Sequence, residues 1–180
     1  MTFDEAMVLT RSVSSNAAFE DPECRLMFEL VSSLEEGAAI VAIGCEYGRS
    51  SSIILQAAPQ HAALYFIDPF LDPLPASKWM EMTRKTGREF TLYCRKSEDV
   101  WEHLHFNLIH IDGDHYREGV QTDLAFLDYA LPGAYACFHD YGLDSLPEIY
   151  PTVVEYMATH PEWFFYKQAA SLGVWRKRCS

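Results

Sequence analysis

Two short segments rich in aspartate and histidine are the parts of this chain best suited to chemistry. Asp112-Gly113-Asp114-His115 follows the apolar run Phe106 to Ile111, and His139-Asp140 follows the run Ala134 to Phe138. If these runs are neighbouring parallel strands, about 4.8 Å apart, Asp112 and Asp140 converge at one edge of a sheet. Two carboxylates that close repel each other unless a cation or proton lies between them. The pair therefore predicts a metal site formed by Asp112 and Asp140, with Mg²⁺ as the metal.

Asp112, His115 and His139 are the candidate catalytic residues of these segments. An unperturbed histidine titrates near pH 6.5, so His115 or His139 could act as the general base for a substrate hydroxyl. A cation held by Asp112 would orient that hydroxyl and lower its pKa. The alternative is that each histidine only hydrogen-bonds a neighbouring loop. His110, inside the preceding apolar run, is expected to be a hydrogen-bonded core histidine.

A glycine-containing loop, Gly44-Cys45-Glu46-Tyr47-Gly48, follows the apolar run Ala39 to Ile43 and precedes a predicted helix that begins at Ser50. Its glycines let a ligand approach the backbone, and the helix start offers free N–H groups. The spacing is GxxxG, which is neither the GxGxxG of nicotinamide-binding proteins nor a phosphate-binding P-loop. Asp68 ends the next apolar run, where a carboxylate can accept hydrogen bonds from ribose hydroxyls. Together these features predict a nucleotide-type site.

The elements that must position these residues alternate between apolar runs and amphipathic segments. The pattern predicts a doubly wound α/β fold with a mostly parallel sheet and a C-terminal antiparallel hairpin strand. Predicted strands span residues 39–43, 64–67, 90–94, 106–111 and 134–138, and the hairpin strands span 163–166 and 172–175. A helix is predicted from Tyr116 to Leu131, ended by Pro132-Gly133, and another from about 147 to 158. Ser97 is predicted to be a helix N-cap.

The 180 residues are expected to form one domain. Its parts would be an N-terminal helical region (1–36), a cofactor-binding core (38–142) and a C-terminal helix and hairpin (143–180). The formal net charge of −12 disfavours nucleic acid as a partner, because the phosphate backbone would be repelled. The chain contains no apolar run long enough for a membrane span, and its acidic N-terminus is unlike a signal peptide, so a cytoplasmic location is expected. The sequence does not determine the oligomeric state, and a homo-oligomer is one of the alternatives that it leaves open.

Four segments together resemble class I S-adenosylmethionine-dependent methyltransferases: IVAIGCEYGRSS, YFIDPF, NLIHIDGDHYREGVQTDL and LPGAYACFHDY. They are most similar to a small bacterial group with the hallmark I-D-G-D-H-x-Y-x-x-V-x-x-D and a closing F-H-D. That group is similar to macrocin and other sugar O-methyltransferases and, more distantly, to catechol-type O-methyltransferases. The resemblance covers roughly residues 38–142.

The resemblance implies a Rossmann-like fold, S-adenosylmethionine as cofactor and residue roles in its binding. It implies that Gly44 to Gly48 pack on the methionine portion of the cofactor and that Ser50 helps to hold its carboxylate. Asp68 would bind the ribose, and Ser97 and Glu98 would line the adenine pocket. Relatives hold Mg²⁺ at the strand ends that correspond to Asp112 and Asp140.

The expected function is therefore methyl transfer to an oxygen of a small hydroxylated molecule, such as a sugar or phenol, with a divalent metal. Two positions depart from the family pattern, since Ala42 and Lys96 stand where relatives usually have acidic residues. These departures leave open a second reading, a cofactor-binding homologue with little activity. A nicotinamide-dependent oxidoreductase is a third reading, and the absence of the third glycine in GxxxG argues against it.

Overall fold

The computed structural model describes residues 1–14, 18–69, 76–100 and 104–179. The six α-helices in these ranges are α1 (Phe3–Val13), α2 (Asp21–Ser32), α3 (Arg49–Ala57), α4 (Ala76–Thr86), α5 (Arg117–Leu124) and α6 (Ile149–Ala158). The strands are β1 (Ala39–Ile43), β2 (Ala63–Ile67), β3 (Thr91–Tyr93), β4 (Phe106–Ile111), β5 (Ala130–Phe138), β6 (Trp163–Ala169) and β7 (Leu172–Lys177). None of the helices in these ranges is both long and apolar enough to cross a membrane.

The seven strands form one sheet in the order β3-β2-β1-β4-β5-β7-β6. The first five are parallel to one another, and β7 runs antiparallel to both β5 and β6. The predicted doubly wound, mostly parallel sheet with a C-terminal antiparallel hairpin strand is confirmed. Because β1 and β4 are neighbours although β2 and β3 intervene in the chain, the direction of winding reverses between them, and a crevice opens at their carboxyl ends.

Helices cover both faces of the sheet, as expected for strands that are apolar on both sides. On one face, α1, α2 and α3 pack over side chains such as Ile40, Leu64 and Leu108. On the other face, α5 and α6 pack over Val41, Ile109 and their neighbours. The N-terminal helical region predicted for residues 1–36 is thus a pair of helices that lies on the first face and reaches the crevice.

The helix predicted from Tyr116 to Leu131 is wrong in its second half. The structure has α5 only as far as Leu124, followed by a 3-10 helix over Ala125–Tyr129, and β5 begins at Ala130. Ala130 pairs with Phe106 of β4, and the register then shifts before Leu108 pairs with Tyr135. This irregularity accommodates the Pro132-Gly133 pair inside a strand, because a bulge tolerates a residue without an N–H. Pro132-Gly133 therefore interrupts a strand rather than ending a helix.

Candidate functional site

The predicted site residues begin where the strands end, and backbone hydrogen bonds fix their positions. The N–H of Gly44 donates to Ile67 at 2.9 Å and that of Asp112 donates to Ile43 at 2.9 Å. The N–H of His139 donates to Ile111 at 3.0 Å. Each bond extends the pairing of β1, β4 or β5 by one residue. The strand ends are therefore rigidly placed relative to one another.

The turn after β1 requires glycine at its first position. Gly44 has φ +79°, and a Cβ at this position would lie 1.8 Å from the backbone oxygen of Asp112. Only a residue without a side chain permits this approach of the β1 and β4 ends. Gly48 has φ 77° and forms the N-cap of α3, so the loop turns directly into the helix. Glu46, with φ 33°, is a non-glycine residue in the left-handed region, which marks strain within the loop.

Asp68 holds this loop from the end of β2. One carboxylate oxygen accepts hydrogen bonds from the backbone N–H of Cys45 at 2.8 Å and of Glu46 at 3.1 Å. The side chain is buried at the base of the crevice. The structure thus adds a loop-supporting role to a residue that was predicted from sequence to bind ribose.

A cavity of about 780 Å³ opens at the crevice and brings the predicted residues together. All of them except Gly48 line it: Gly44, Cys45, Glu46, Tyr47, Ser50, Asp68, Ser97, Glu98, Asp112, His115, His139 and Asp140. The volume lies in the range of cofactor and small-molecule sites. The glycine loop and the aspartate–histidine segments therefore face the same enclosed space.

The aspartates and histidines form a compact cluster at one side of this cavity. His139 Nδ1 lies 3.2 Å from Oδ1 of Asp112 and 3.3 Å from Oδ1 of Asp140. His115 Nε2 lies 3.2 Å from Oδ2 of Asp140 and 3.7 Å from Oδ1 of Asp112. Asp140 has φ 55°, a left-handed conformation that aspartate tolerates better than most residues. The expected convergence of Asp112 and Asp140 is present.

The electrostatic environment of the cluster favours the charged forms of its aspartates and histidines. Burial acts to raise the pKa of Asp112, but the nearby His115 and the hydrogen bond with His139 outweigh it and lower that pKa. The pKa of His115 rises to about 10, chiefly because its Nε2 lies close to the carboxylates of Asp112 and Asp140. Burial acts to lower the pKa of His139, yet hydrogen bonds with the two aspartates and Glu23 raise it. The two aspartate carboxylates of the cluster therefore stabilise positive charge beside them, whether on the histidines or on a cation.

The donor set fits a divalent metal. Asp112, His139 and Asp140 can each offer one ligand atom, and these atoms all lie within 4.8 Å of one another. Two carboxylate oxygens and one imidazole nitrogen are common ligands of divalent ions. The metal predicted for Asp112 and Asp140 therefore has a third candidate ligand, His139, which sequence reasoning had assigned only a catalytic role.

Ser97 and its partner Asp123 form a further part of the cavity lining. Ser97 is the first residue of a short 3-10 helix, Ser97–Asp99, whose N-cap is Lys96, so the prediction that Ser97 is the N-cap is wrong. Its hydroxyl instead donates to Oδ1 of Asp123 at 2.6 Å. Burial, followed by the negative charges of Asp114 and Glu98, raises the pKa of Asp123 to about 6.

Sequence reasoning missed several residues of the site. Phe19, Arg49 and Asp123 line the cavity, and Glu23 lies behind His139. Asp123 is the final aspartate of the quoted I-D-G-D-H motif, so the motif itself could have indicated it. Glu23 stands in line with Met27, Leu30 and Val31 on the apolar face of α2. An acidic residue in such a stripe is the available signal, because buried carboxylates need partners.

Two further expectations concern strands β1 and β4. His110 is fully buried, but neither ring nitrogen has a hydrogen-bond partner among the described residues, so the expectation of a hydrogen-bonded core histidine is wrong. Burial lowers its pKa to about 4, which keeps the ring neutral. Ala42 is fully buried and pairs with His110 across the strands. The position that departs from the family pattern thus lies in the core beneath the cavity.

Comparisons with known proteins agree with this architecture. The family model described as "Methyltransferase domain" matches residues 41–141, which is more than half of the chain. A search of the curated proteins finds no match to this sequence.

Solved structures share the fold at low sequence identity. A Corynebacterium glutamicum protein is 14% identical with a TM-score of 0.74, and the alignment covers 96% of this chain and 91% of that one. An O-methyltransferase from Bacillus cereus, in complex with SAH, is 13% identical with a TM-score of 0.71, covering 98% and 90%. The O-methyltransferase TomG from Streptomyces achromogenes, in complex with SAM, is 14% identical with a TM-score of 0.63, covering 99% and 89%. The matched segment runs from β1 through the last residues of the aspartate–histidine cluster, and this protein belongs to the methyltransferase family that the model describes.

Proposed function

We propose that this protein is an S-adenosylmethionine-dependent methyltransferase that methylates a hydroxyl oxygen of a small acceptor with the help of a divalent metal. The observation that carries the proposal is the single cavity of about 780 Å³, which joins the glycine loop to the aspartate–histidine cluster. The glycine loop suits a nucleoside-type cofactor, and the cluster suits a hydroxyl group that must lose its proton. The neighbours crystallised with SAH or SAM are similar over nearly the whole chain, in support of this cofactor.

The charge of the cavity favours a cationic cofactor over a phosphorylated one. Seven carboxyl groups line it: Glu46, Asp68, Glu98, Asp112, Asp114, Asp123 and Asp140. The lysine and arginine side chains along the same wall are Lys96 and Arg49, and Arg49 is already paired with Asp21. A sulfonium is attracted by such an environment, whereas the pyrophosphate of a nicotinamide dinucleotide is repelled. This difference argues against the oxidoreductase reading.

The residues of the loop, together with Ser97 and Asp123, would bind and orient the cofactor. When bound, S-adenosylmethionine would supply a methyl group on a sulfonium sulfur, and the thioether SAH would be the leaving group. Ser50, in the first turn of α3, is placed to donate to an anionic group near the loop. Asp68 holds the loop backbone, and Ser97 with Asp123 offers further polar atoms to the cavity.

Asp112, His139 and Asp140 would hold the divalent metal, which when bound supplies a positive charge that lowers the pKa of the acceptor hydroxyl. His115 is the histidine placed to receive the proton, because its side chain is 40% exposed whereas that of His139 is 5% exposed. Its ion pairs with Asp112 and Asp140 favour the protonated ring. The positive charge of a bound metal or of the cofactor would weaken the preference of His115 for the protonated form, because a nearby positive charge lowers the pKa of a histidine.

The first experiment is cofactor binding by isothermal titration calorimetry with S-adenosylhomocysteine (SAH). The second is transfer of a radiolabelled methyl group from S-adenosylmethionine to a panel of catechols and hydroxylated sugars. We expect SAH binding, and labelled product with at least one oxygen acceptor in the presence of metal. Absence of binding at millimolar SAH would refute the cofactor assignment. Binding without transfer to any oxygen acceptor would favour the homologue with little activity.

A further inference from the structure

Glu23 is a buried carboxylate that reaches the metal cluster from outside the family-matched segment. It lies in the first turn of α2, is 0% exposed, and precedes residues 41–141 in the chain. One of its oxygens, Oε1, accepts hydrogen bonds from the backbone N–H of Ser171 at 2.9 Å and from its hydroxyl at 2.6 Å. The other, Oε2, accepts from the N–H of Glu20 and lies 3.4 Å from Nε2 of His139. Four contacts therefore immobilise this carboxylate against the imidazole.

The position of Glu23 decides which ring nitrogen of His139 faces the aspartates. A carboxylate beside Nε2 favours a proton on that nitrogen, because an N–H donates to it. The other nitrogen, Nδ1, then points with its lone pair at Asp112 and Asp140, which lie 3.2 and 3.3 Å away. In the absence of metal a proton on Nδ1 satisfies these carboxylates, as the raised pKa of His139 indicates, and a bound cation would take the place of that proton. With a cation bound, the arrangement would be a carboxylate–histidine–metal triad, in which the outer carboxylate orients the metal-binding ring.

A nitrogen donor changes which metal the cluster prefers. Mg²⁺ strongly prefers oxygen ligands, whereas Mn²⁺, Fe²⁺, Co²⁺ and Zn²⁺ also accept imidazole and generally bind mixed nitrogen and oxygen sites more tightly. The sequence-based expectation of Mg²⁺ considered only the two aspartates. The structure adds His139, which is 5% exposed at its side chain and so has few orientations open to it.

We propose that Glu23 is a positioning residue that fixes His139 as a nitrogen ligand, so that Asp112, His139 and Asp140 select a transition-metal ion over Mg²⁺. The proposal rests on the metal-assisted function above, and it names the class of metal for that site. Glu23 does not touch the acceptor or the metal, and it acts through His139. Glu23 and Ser171 both lie outside the matched segment, so the family model does not describe this support.

The test measures metal binding directly on the whole 180-residue chain after removal of metals with a chelator. Calorimetry with Co²⁺, Zn²⁺ and Mg²⁺ gives the affinities, and the visible absorption spectrum of the Co²⁺ form reports its ligands. Three variants are compared with the wild type: Glu23→Gln, His139→Asp and Glu29→Gln. Glu29 is the matched control, because it lies on the same helix but is exposed and paired with Lys167. SAH affinity and thermal unfolding are measured for each variant.

We expect the wild type to bind Co²⁺ at least about 10-fold more tightly than Mg²⁺. Glu23→Gln should weaken Co²⁺ binding by about 10- to 100-fold and change the Co²⁺ spectrum. His139→Asp should shift the preference towards Mg²⁺, and Glu29→Gln should change neither property. If Glu23→Gln fails to fold, His139→Asp still tests the nitrogen ligand, and Glu23→Asp, which keeps the carboxylate, tests its position.

A wild-type preference for Mg²⁺, or an unchanged Co²⁺ affinity in Glu23→Gln, would overturn the inference. Failure of the proposed function gives a different pattern, namely absence of SAH binding by the wild type, whatever the metal preference. If the wild type binds SAH and transfers methyl groups but shows no preference among the metals, the inference is contradicted and the proposed function is not. A stability loss in Glu23→Gln with unchanged metal affinity and spectrum would assign Glu23 a purely structural role.

Discussion

The carboxylate of Asp68 accepts a hydrogen bond from the backbone N–H of Cys45 at 2.8 Å, joining residues that are 23 positions apart in the chain. The same oxygen accepts from the N–H of Glu46. The aspartate at the end of β2 therefore shapes the glycine loop at the end of β1. This contact predicts that a change at Asp68 alters cofactor binding through the loop backbone as well as through direct contact.

Asp68→Ala is expected to raise the Kd of SAH by about 10-fold or more, because two backbone amides lose a charged acceptor. Asp68→Asn keeps a carbonyl oxygen for these amides and should retain part of the affinity. Titration calorimetry of both variants measures the difference, with the exposed Asp144→Asn as control. Equal SAH affinity in Asp68→Ala and the wild type would show that neither role of Asp68 matters for binding.

Gly44→Ala is expected to be far more damaging than Gly37→Ala, although the two glycines have almost the same φ, +79° and +80°. A Cβ at Gly37 meets nothing within 4 Å, so that variant should lose only about 1–2 kcal/mol, the cost of a left-handed alanine. A Cβ at Gly44 would overlap the backbone of Asp112, which should add about 1–3 kcal/mol or more. Chemical denaturation measures both values. Similar losses in the two variants would mean that the β1 and β4 ends separate easily.

Stability should depend on pH through Asp123, whose pKa is raised to about 6 in the folded protein. A raised carboxyl pKa means that folding favours the protonated form. This contribution is fully present below the unfolded pKa, near 4, and is lost as the pH rises through about 6. At pH 8 the charged Asp123 should therefore cost stability, by up to about 3 kcal/mol.

Asp123→Asn removes this charge and keeps an oxygen that can accept from Ser97. Without cofactor, the variant should melt at a higher temperature than the wild type at pH 8, and the difference should vanish near pH 4. Differential scanning calorimetry across this range checks the sign and the window. A difference that stays constant with pH would contradict the raised pKa of Asp123.

Chelation should separate catalysis from cofactor binding. Because Asp112, His139 and Asp140 would hold the metal whereas the glycine loop would bind the cofactor, removal of divalent ions should lower methyl transfer by about 10- to 100-fold or more and leave SAH affinity within about 2-fold. Asp112→Asn should show the same loss, and added metal should not restore its activity. Full activity after exhaustive chelation would exclude a metal role in the transfer.

Local sequence patterns were sufficient for the strands and for most of the cavity lining. Apolar runs such as Ala39 to Ile43 predicted buried strands, and residues that follow a parallel strand lie at its carboxyl end. For this reason Gly44, Asp68, Asp112 and His139 could be placed in one cavity without coordinates. The extent of the helix after Tyr116 could not, because the pairing of Ala130 with Phe106, a long-range contact, overrides the local preference.

The sequence by itself determined the succession of strands and helices along the chain and the family motif. Both depend on residues that are neighbours in the chain. Only the tertiary structure decided that Glu23 meets His139, 116 positions later, and Ser171, 148 positions later. It also decided that Ser97 bonds to Asp123 instead of capping a helix. These contacts arise where α2 packs on the end of β5, where the turn between β6 and β7 meets α2, and where a 3-10 helix meets α5. Their geometry depends on the packing of whole elements, which the spacing of residues along the chain does not specify.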